Sequence, residues 1–340
     1  NYEYMNAVIR ARGTKLLGRG ELRSLAFGTM EKLEIFLLGS MYSERYREQL
    51  ALSTLSPLRR VENALSAGIS DQLKGMAALA RGEAILYLDL FLSGGDLYNG
   101  RIALRSIWSG SRSSSPPLWH RYALLDAAFY DDLWLRCPKA ADAAVRCHEE
   151  DHGLASILGE AFRQIHGSND LASAERRLFT GWLDYWGRRL SPFHDCNAGR
   201  MKEFLGRIAD TWNFSIWLRC FMGGEEECLP EKTFISGGWG LSREKLASSK
   251  STSALFSDSP WEGLFREEGE RKPAENQRAF HLSFLEWQRD LYRKNLLGID
   301  VAIGFGARVL SEWQDLSMLS AGLSIGIPPE DMERHLRPED

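Results

Sequence analysis

Apolar residues recur every three or four positions along most of this 340-residue chain. In Glu21 to Leu38 the stripe is Leu22, Leu25, Met30, Leu33, Phe36 and Leu37. That spacing lays them along one side of an α-helix and leaves polar residues on the other. Ala84 to Leu92 and Leu205 to Phe221 follow the same period. Alternating β-branched runs closed by Asn-Gly or Asp-Gly, the mark of strands and hairpins, are scarce. The pattern predicts an all-α fold.

Turn chemistry punctuates the helical stretches. Ser109 to Pro117 reads as a loop, Gly94-Gly95 and Gly223-Gly224 as helix terminators, and Gly237-Gly238 as a turn. The serine-rich stretch Ala247 to Pro260 reads as irregular. Pro328-Pro329 predicts the start of a last short helix, with Glu330 and Asp331 near its positive end.

The chain also repeats itself. Asp96-Leu-Tyr-Asn-Gly-Arg-Ile-Ala-Leu-Arg105 aligns with Asp210-Thr-Trp-Asn-Phe-Ser-Ile-Trp-Leu-Arg219. Asp96, Asn99 and Arg105 match Asp210, Asn213 and Arg219, and a glycine closes both segments at the same offset, Gly110 and Gly224. A weaker third copy begins at Glu312 and carries Asp315, with Gly326 at that offset. The starts lie roughly 100 to 115 residues apart, a domain-sized period. This predicts three related helical bundles, at residues 1–110, 111–224 and 225–340, with the N-terminal helix packing against the last. On a helix the Asp and Asn share a face, whereas the Arg nine positions on lies about 180° round. The three groups therefore do not converge on one catalytic cluster. They either satisfy neighbouring elements locally or contact a partner.

The start of the chain, Tyr4-Met5-Asn6-Ala7-Val8-Ile9-Arg10, resembles the N-terminal pattern of the C-type subunits of V/A-type rotary ATPases, called d in eukaryotes. The Asp-x-x-Asn segments at Asp96 and Asp210, then Phe234-Ile235-Ser236-Gly237-Gly238, resemble that family's internal motifs. Leu297-Gly298-Ile299, Glu312-Trp313 and Ala321 to Pro328 resemble its C-terminal end. Val8, Asp315 and Ser317 depart from the family pattern. The resemblance implies three helical bundles in a pseudo-threefold, funnel-like arrangement. It implies a non-catalytic central-stalk socket that couples the D and F shaft subunits to the proteolipid rotor ring for proton or sodium transport. The implied place is peripheral, on the cytoplasmic face of the membrane. Tyr4, Asn6, Arg10, Asp96, Asn99, Arg105, Asp210, Asn213, Arg219 and Glu312 are the motif positions, and some are expected to meet partners.

Composition agrees with that picture. Hydrophobic residues make up 44% and charged residues 26%, enough for a large core. A net charge of -4 lacks the basic excess of a general nucleic-acid binder. No Gly-x-x-x-x-Gly-Lys-Ser/Thr loop occurs, so no nucleotide site and no cofactor is expected. Five cysteines without a CxxC pair predict free thiols in a reducing compartment. Asn1 to Arg12 does not read as a signal peptide. The most apolar stretch, Leu296 to Leu310, is interrupted by Asp300 and Arg308 and is too short to span a membrane.

One motif argues for different chemistry. His148-Glu149-Glu150-Asp151-His152 fits H-E-x-x-H, where two histidines one helical turn apart share a zinc ion and the glutamate serves as base. A zinc hydrolase is the enzymatic alternative. The acidic residues at 150 and 151 and the following Gly153 favour a solvated turn instead. A stand-alone helical scaffold is the third reading. His194-Asp195-Cys196 suggests no activated thiol, because adjacent side chains rarely face each other. Arg59-Arg60 and Arg176-Arg177 read as solvated faces.

Overall fold

A computed structural model describes residues 2–52, 54–110, 116–222, 233–265 and 272–337. Helices take up 75% of the structure, and no strand occurs among the described residues, so the all-α expectation holds. Gly223-Gly224, most of the Ser109 to Pro117 loop, and Cys228 lie outside the described residues.

The chain opens with α1 (Tyr2–Gly13), α2 (Arg19–Ala26), α3 (Met30–Gly39), α4 (Ser43–Leu50), α5 (Pro57–Ala77), α6 (Glu83–Leu92), α7 (Gly94–Ser109) and α8 (Ala127–Arg136). Then come α9 (Ala140–Glu149), α10 (Gly153–Ser168), α11 (Leu171–Leu190), α12 (Cys196–Met222), α13 (Arg243–Ser248), α14 (Thr252–Phe256), α15 (Glu262–Phe265) and α16 (Pro273–Leu291). The chain ends with α17 (Asp300–Ile325) and α18 (Pro329–His335).

Short polar side chains set the helix starts. Thr29, Ser56, Asp126, Asp170, Ser242 and Ser251 each accept a backbone N–H from the first turn of the helix that follows. Gly110 and Gly326 end α7 and α17 in the left-handed region, at φ 63° and 74°, where glycine avoids the Cβ clash. Two local expectations are corrected. The serine-rich stretch after Ala247 contains α14, because Ser251 caps it. Gly94-Gly95 opens α7 rather than closing a helix.

The helices group into two compact units, residues 1–138 with 291–340, and residues 139–290. In the first, the stripe read from Glu21 to Leu38 is buried: Leu22, Leu25, Leu33 and Leu37 join Tyr42, Tyr46, Val61 and Leu65 with Leu316 and Leu319 of α17 and Met332 of α18. The C-terminal helices thus complete the core of the N-terminal ones. In the second, an aromatic cluster of Phe214, Trp217, Phe234, Phe256, Trp261, Phe265 and Phe280 joins α12 to the helices after it. Burial of such rings at roughly 25 cal/mol per Å² makes these clusters the main stabilising term of each unit.

Candidate functional site

The repeated motif is a device that fastens a turn to a helix. Asp96 lies on the buried side of α7, and its carboxylate accepts the Leu124 and Leu125 N–H groups at 2.8 and 2.9 Å and the Tyr130 hydroxyl at 3.0 Å. One turn along, Asn99 Oδ1 accepts the His120 N–H at 2.8 Å while its Nδ2 donates to the His120 carbonyl at 3.1 Å. The second copy on α12 does the same. Asp210 accepts from Trp239, Gly240 and Leu241 at 2.9, 2.8 and 3.2 Å. Asn213 pairs with the N–H and carbonyl of Ile235 at 2.8 and 2.9 Å. An amide presents a donor and an acceptor together, so it saturates both backbone groups of one loop residue, as a neighbouring strand would.

Gly237-Gly238, read as a turn, lies in irregular chain between bends at Ser236 and Trp239, and its glycines are needed. Gly237 has φ 91°, and a Cβ on Gly238 would lie 2.2 Å from Asp210 Oδ1. Only a bare backbone lets the carboxylate reach the three N–H groups beyond it.

The third copy uses a turn from the opposite end of the chain. Glu312 accepts the Leu17 N–H at 2.6 Å and the Tyr42 hydroxyl at 2.7 Å. Leu17, Leu125 and Leu241 are equivalent: each immediately precedes the N-cap of a helix, Gly18, Asp126 and Ser242 respectively. Asp315 stands where the other copies have Asn. A carboxylate cannot donate to a carbonyl, and Asp315 instead lies 3.9 Å from Arg337 Nε. The N-terminal motif adds a related contact. Asn6 Nδ2 donates to the Leu296 and Gly298 carbonyls, both at 2.9 Å, and Arg10 donates to the Tyr292 carbonyl at 3.0 Å, so α1 holds the turn that leads into α17.

Burial sets the electrostatics. It pushes the Asp96 carboxyl up to about 6 and Asp210 up to about 7, although the N–H groups each accepts from pull the other way. Burial also raises Glu312, and raises Tyr42 well above the ordinary phenol range with the Glu312 charge adding to it. Beside Asp210, Arg207 lies 4.0 Å from the Trp239 ring and 4.4 Å from the Trp287 ring, and donates to Glu203 at 3.0 and 2.9 Å. Stacking and pairing offset the cost of desolvating this guanidinium.

The structure sorts the ten motif residues. Asn6, Asp96, Asn99, Asp210, Asn213 and Glu312 are buried. Tyr4, Arg105 and Arg219 are exposed, and Arg10 is intermediate. The arginines thus lie outward, as the 180° offset requires. Tyr42 and Leu17 complete the third copy and escape a reading of the sequence, because a distant backbone N–H and a tyrosine on another helix leave no local signal.

The zinc reading does not survive the geometry. α9 ends at Glu149, and His152 has extended backbone and caps α10, accepting the Leu154 N–H. His148 and His152 therefore do not share a helix face. Gly153 opens a helix instead of closing one. His148 Nε2 lies 3.7 Å from Glu160, which also pairs with Arg163 and Arg177. No group of three or more metal-ligating side chains occurs among the described residues. Asp195 caps α12 by accepting the Asn197 and Ala198 N–H groups. Arg60, read as solvated, is half-buried and pairs with Glu34 at 2.6 Å.

These features define an all-helical protein whose buried acids fasten turns onto repeated helices. Residues 5–335 match the model of the ATP synthase (C/AC39) subunit family, and the chain belongs to that family. The family comprises the C/d subunits of V/A-type rotary ATPases, stalk components held peripherally in a membrane-bound complex. No helix among the described residues is long and apolar enough to cross a membrane. No curated protein matches the chain.

Proposed function

We propose that this chain is the socket through which the D–F central shaft turns the proteolipid rotor ring, without an active site of its own. It works on the cytoplasmic face of the membrane, driving or driven by proton or sodium flow. One observation carries the reading: the acid-to-turn contact recurs in all three copies, and the third takes its turn from the start of the chain. A torque-bearing adaptor needs its loops fixed to its helices, because a loop that yields stores rotation instead of passing it on. The repeats support a division into bundles at residues 1–110, 111–224 and 225–340, the last completed by α1 and the turn after it.

Burial then divides the labour among the motif residues. The buried acids and amides maintain shape, and the exposed Tyr4, Arg105 and Arg219 are the partner contacts. The test is capture of a purified D–F shaft by the full chain, followed by reconstitution with the Arg105→Glu, Arg219→Glu pair. The expected result is ATP hydrolysis that continues while ion transport falls, with an unchanged urea midpoint for the isolated subunit. A chain that does not capture the shaft sinks the reading, and unchanged transport removes the two arginines from it.

A further inference from the structure

The turn that leads into α17 is held from below and bare above. Its stem is Tyr292, directly after α16. A Cβ on Gly304 would lie 2.4 Å from the Tyr292 N, and one on Gly13 would lie 2.3 Å from its hydroxyl oxygen. Backbone and ring of Tyr292 thus both rest on bare helix backbone. Arg10 donates to the Tyr292 carbonyl, and Asn6 grips the far side of the turn through the Leu296 and Gly298 carbonyls. Within the turn, the Lys294 N–H donates to the Leu291 carbonyl at 3.0 Å and the Gly298 N–H to the Asn295 carbonyl at 3.2 Å. The backbone from 292 to 298 is thereby fixed inside the first unit.

The residues between these anchors, Arg293, Lys294, Asn295, Leu296 and Leu297, are all exposed. Surface turns are ordinarily polar, yet here two adjacent leucines stand 52% and 63% exposed. The Arg293 and Lys294 side chains have no partner among the described residues. Arg289 offsets Asp290 before them, and Asp300 after them is buried, so the tip presents two cations beside two apolar side chains. So small a tip falls far short of the about 20 residues per side that a stable protein interface needs. Cations with apolar neighbours do suit the headgroup layer of an anionic bilayer, where each group contributes without a shaped partner. The tip also lies about 30 Å along α17 from Ala321, the position equivalent to Arg105 and Arg219 in the repeat.

We propose that residues 293–297 are a membrane-facing tip, seating Leu296 and Leu297 in the headgroup layer of an anionic bilayer with Arg293 and Lys294 on its phosphates. The proposal rests on the family's peripheral place in a membrane-bound complex and not on shaft coupling, so a chain that fails to capture the shaft leaves it standing. Two leucines and two cations attract weakly, which steadies a subunit the complex already holds rather than recruiting it. Photolabelling captures such brief contacts. A benzophenone amino acid is put in place of Leu297, or in place of the exposed Ile325 at the other end of α17, in the otherwise unchanged full chain. Each protein is irradiated with vesicles of mixed phosphatidylcholine and phosphatidylglycerol at about 10 mM lipid, and lipid adducts are measured by mass spectrometry. Adduct at position 297 should exceed that at 325 by about tenfold or more. Vesicles of phosphatidylcholine alone, or the Arg293→Gln, Lys294→Gln pair in the labelled chain, should reduce it about tenfold, since each cation near an anionic surface contributes roughly fivefold. The altered side chains are exposed, so the urea midpoint should stay that of the parent. Equal labelling at both positions, no adduct at 297, or labelling indifferent to the two cations overturns the proposal. So does a benzophenone at 297 that, on vesicles carrying the rotor ring, labels ring protein in place of lipid.

Discussion

The Glu312 carboxylate accepts the Leu17 N–H at 2.6 Å across 295 residues of chain, and the Tyr42 hydroxyl completes its coordination. Glu312→Gln keeps a carbonyl for Leu17 and an NH₂ that can donate to the Tyr42 oxygen, so both partners stay bonded. Glu312→Ala leaves both buried and unpaired. The expected losses are below about 1 kcal/mol for Gln and about 2–4 kcal/mol for Ala. Urea denaturation with a common m value checks the ordering, and equal losses would show that the two bonds carry no stability.

Asp210 behaves differently, because all three of its partners are backbone N–H groups that cannot reverse roles. Asp210→Asn turns an NH₂ toward a donor, and above pH 7, where the carboxyl is ionised, it should cost about 2 kcal/mol. A chemical denaturation midpoint indistinguishable from that of the parent would contradict this geometry.

The pH dependence follows from the raised carboxyls. Asp96 and Asp210 sit at about 6 and about 7 in the folded chain and lower when unfolded. The native state therefore binds more protons between roughly pH 4 and 7, and their contribution is full below pH 4 and lost as pH rises through the folded values. The gap in stability between the parent and the Asp96→Asn, Asp210→Asn pair should shrink from pH 5 to pH 8, with a slope of up to about 1.4 kcal/mol per pH unit per group. Denaturation series at both pH values measure it, and a gap that widens would reverse the sign assigned here.

Gly238→Ala places a methyl group 2.2 Å from Asp210 Oδ1 and 2.6 Å from the Leu241 carbonyl. Displacing the carboxylate should cost about 1–3 kcal/mol. Adding Asp210→Ala removes the clash with the carboxylate but not the one with the Leu241 carbonyl, so the glycine substitution should cost less in that background without becoming neutral, a coupling that a double-mutant cycle reads directly.

Arg207→Lys retains the charge and discards the planar stack between Trp239 and Trp287. A lysine cannot reproduce that stack with its bonds to Glu203, and a loss of about 1–2 kcal/mol is expected. Thermal unfolding followed by tryptophan fluorescence would detect it, and an unchanged midpoint would assign the cage no energetic role.

The helical class was written in the apolar spacing of stretches such as Glu21 to Leu38, because a helix face is a local property of 3.6-residue geometry. The opposite placement of Asp96 and Arg105 was legible for the same reason, and so was the short helix after Pro328. The partners of these residues were not legible. That Asp96, Asp210 and Glu312 each fasten the residue before a helix cap is decided by backbone N–H groups, which every residue but proline carries and which no side-chain pattern marks. Spacing by itself is a poor guide at His148 and His152, where it allows a shared face but the helix stops between them, as the acidic residues at 150 and 151 suggested. The pairing of Glu312 with Leu17 and Tyr42 belongs wholly to the tertiary structure, since burying an acid requires donors and only the folded chain brings them within reach.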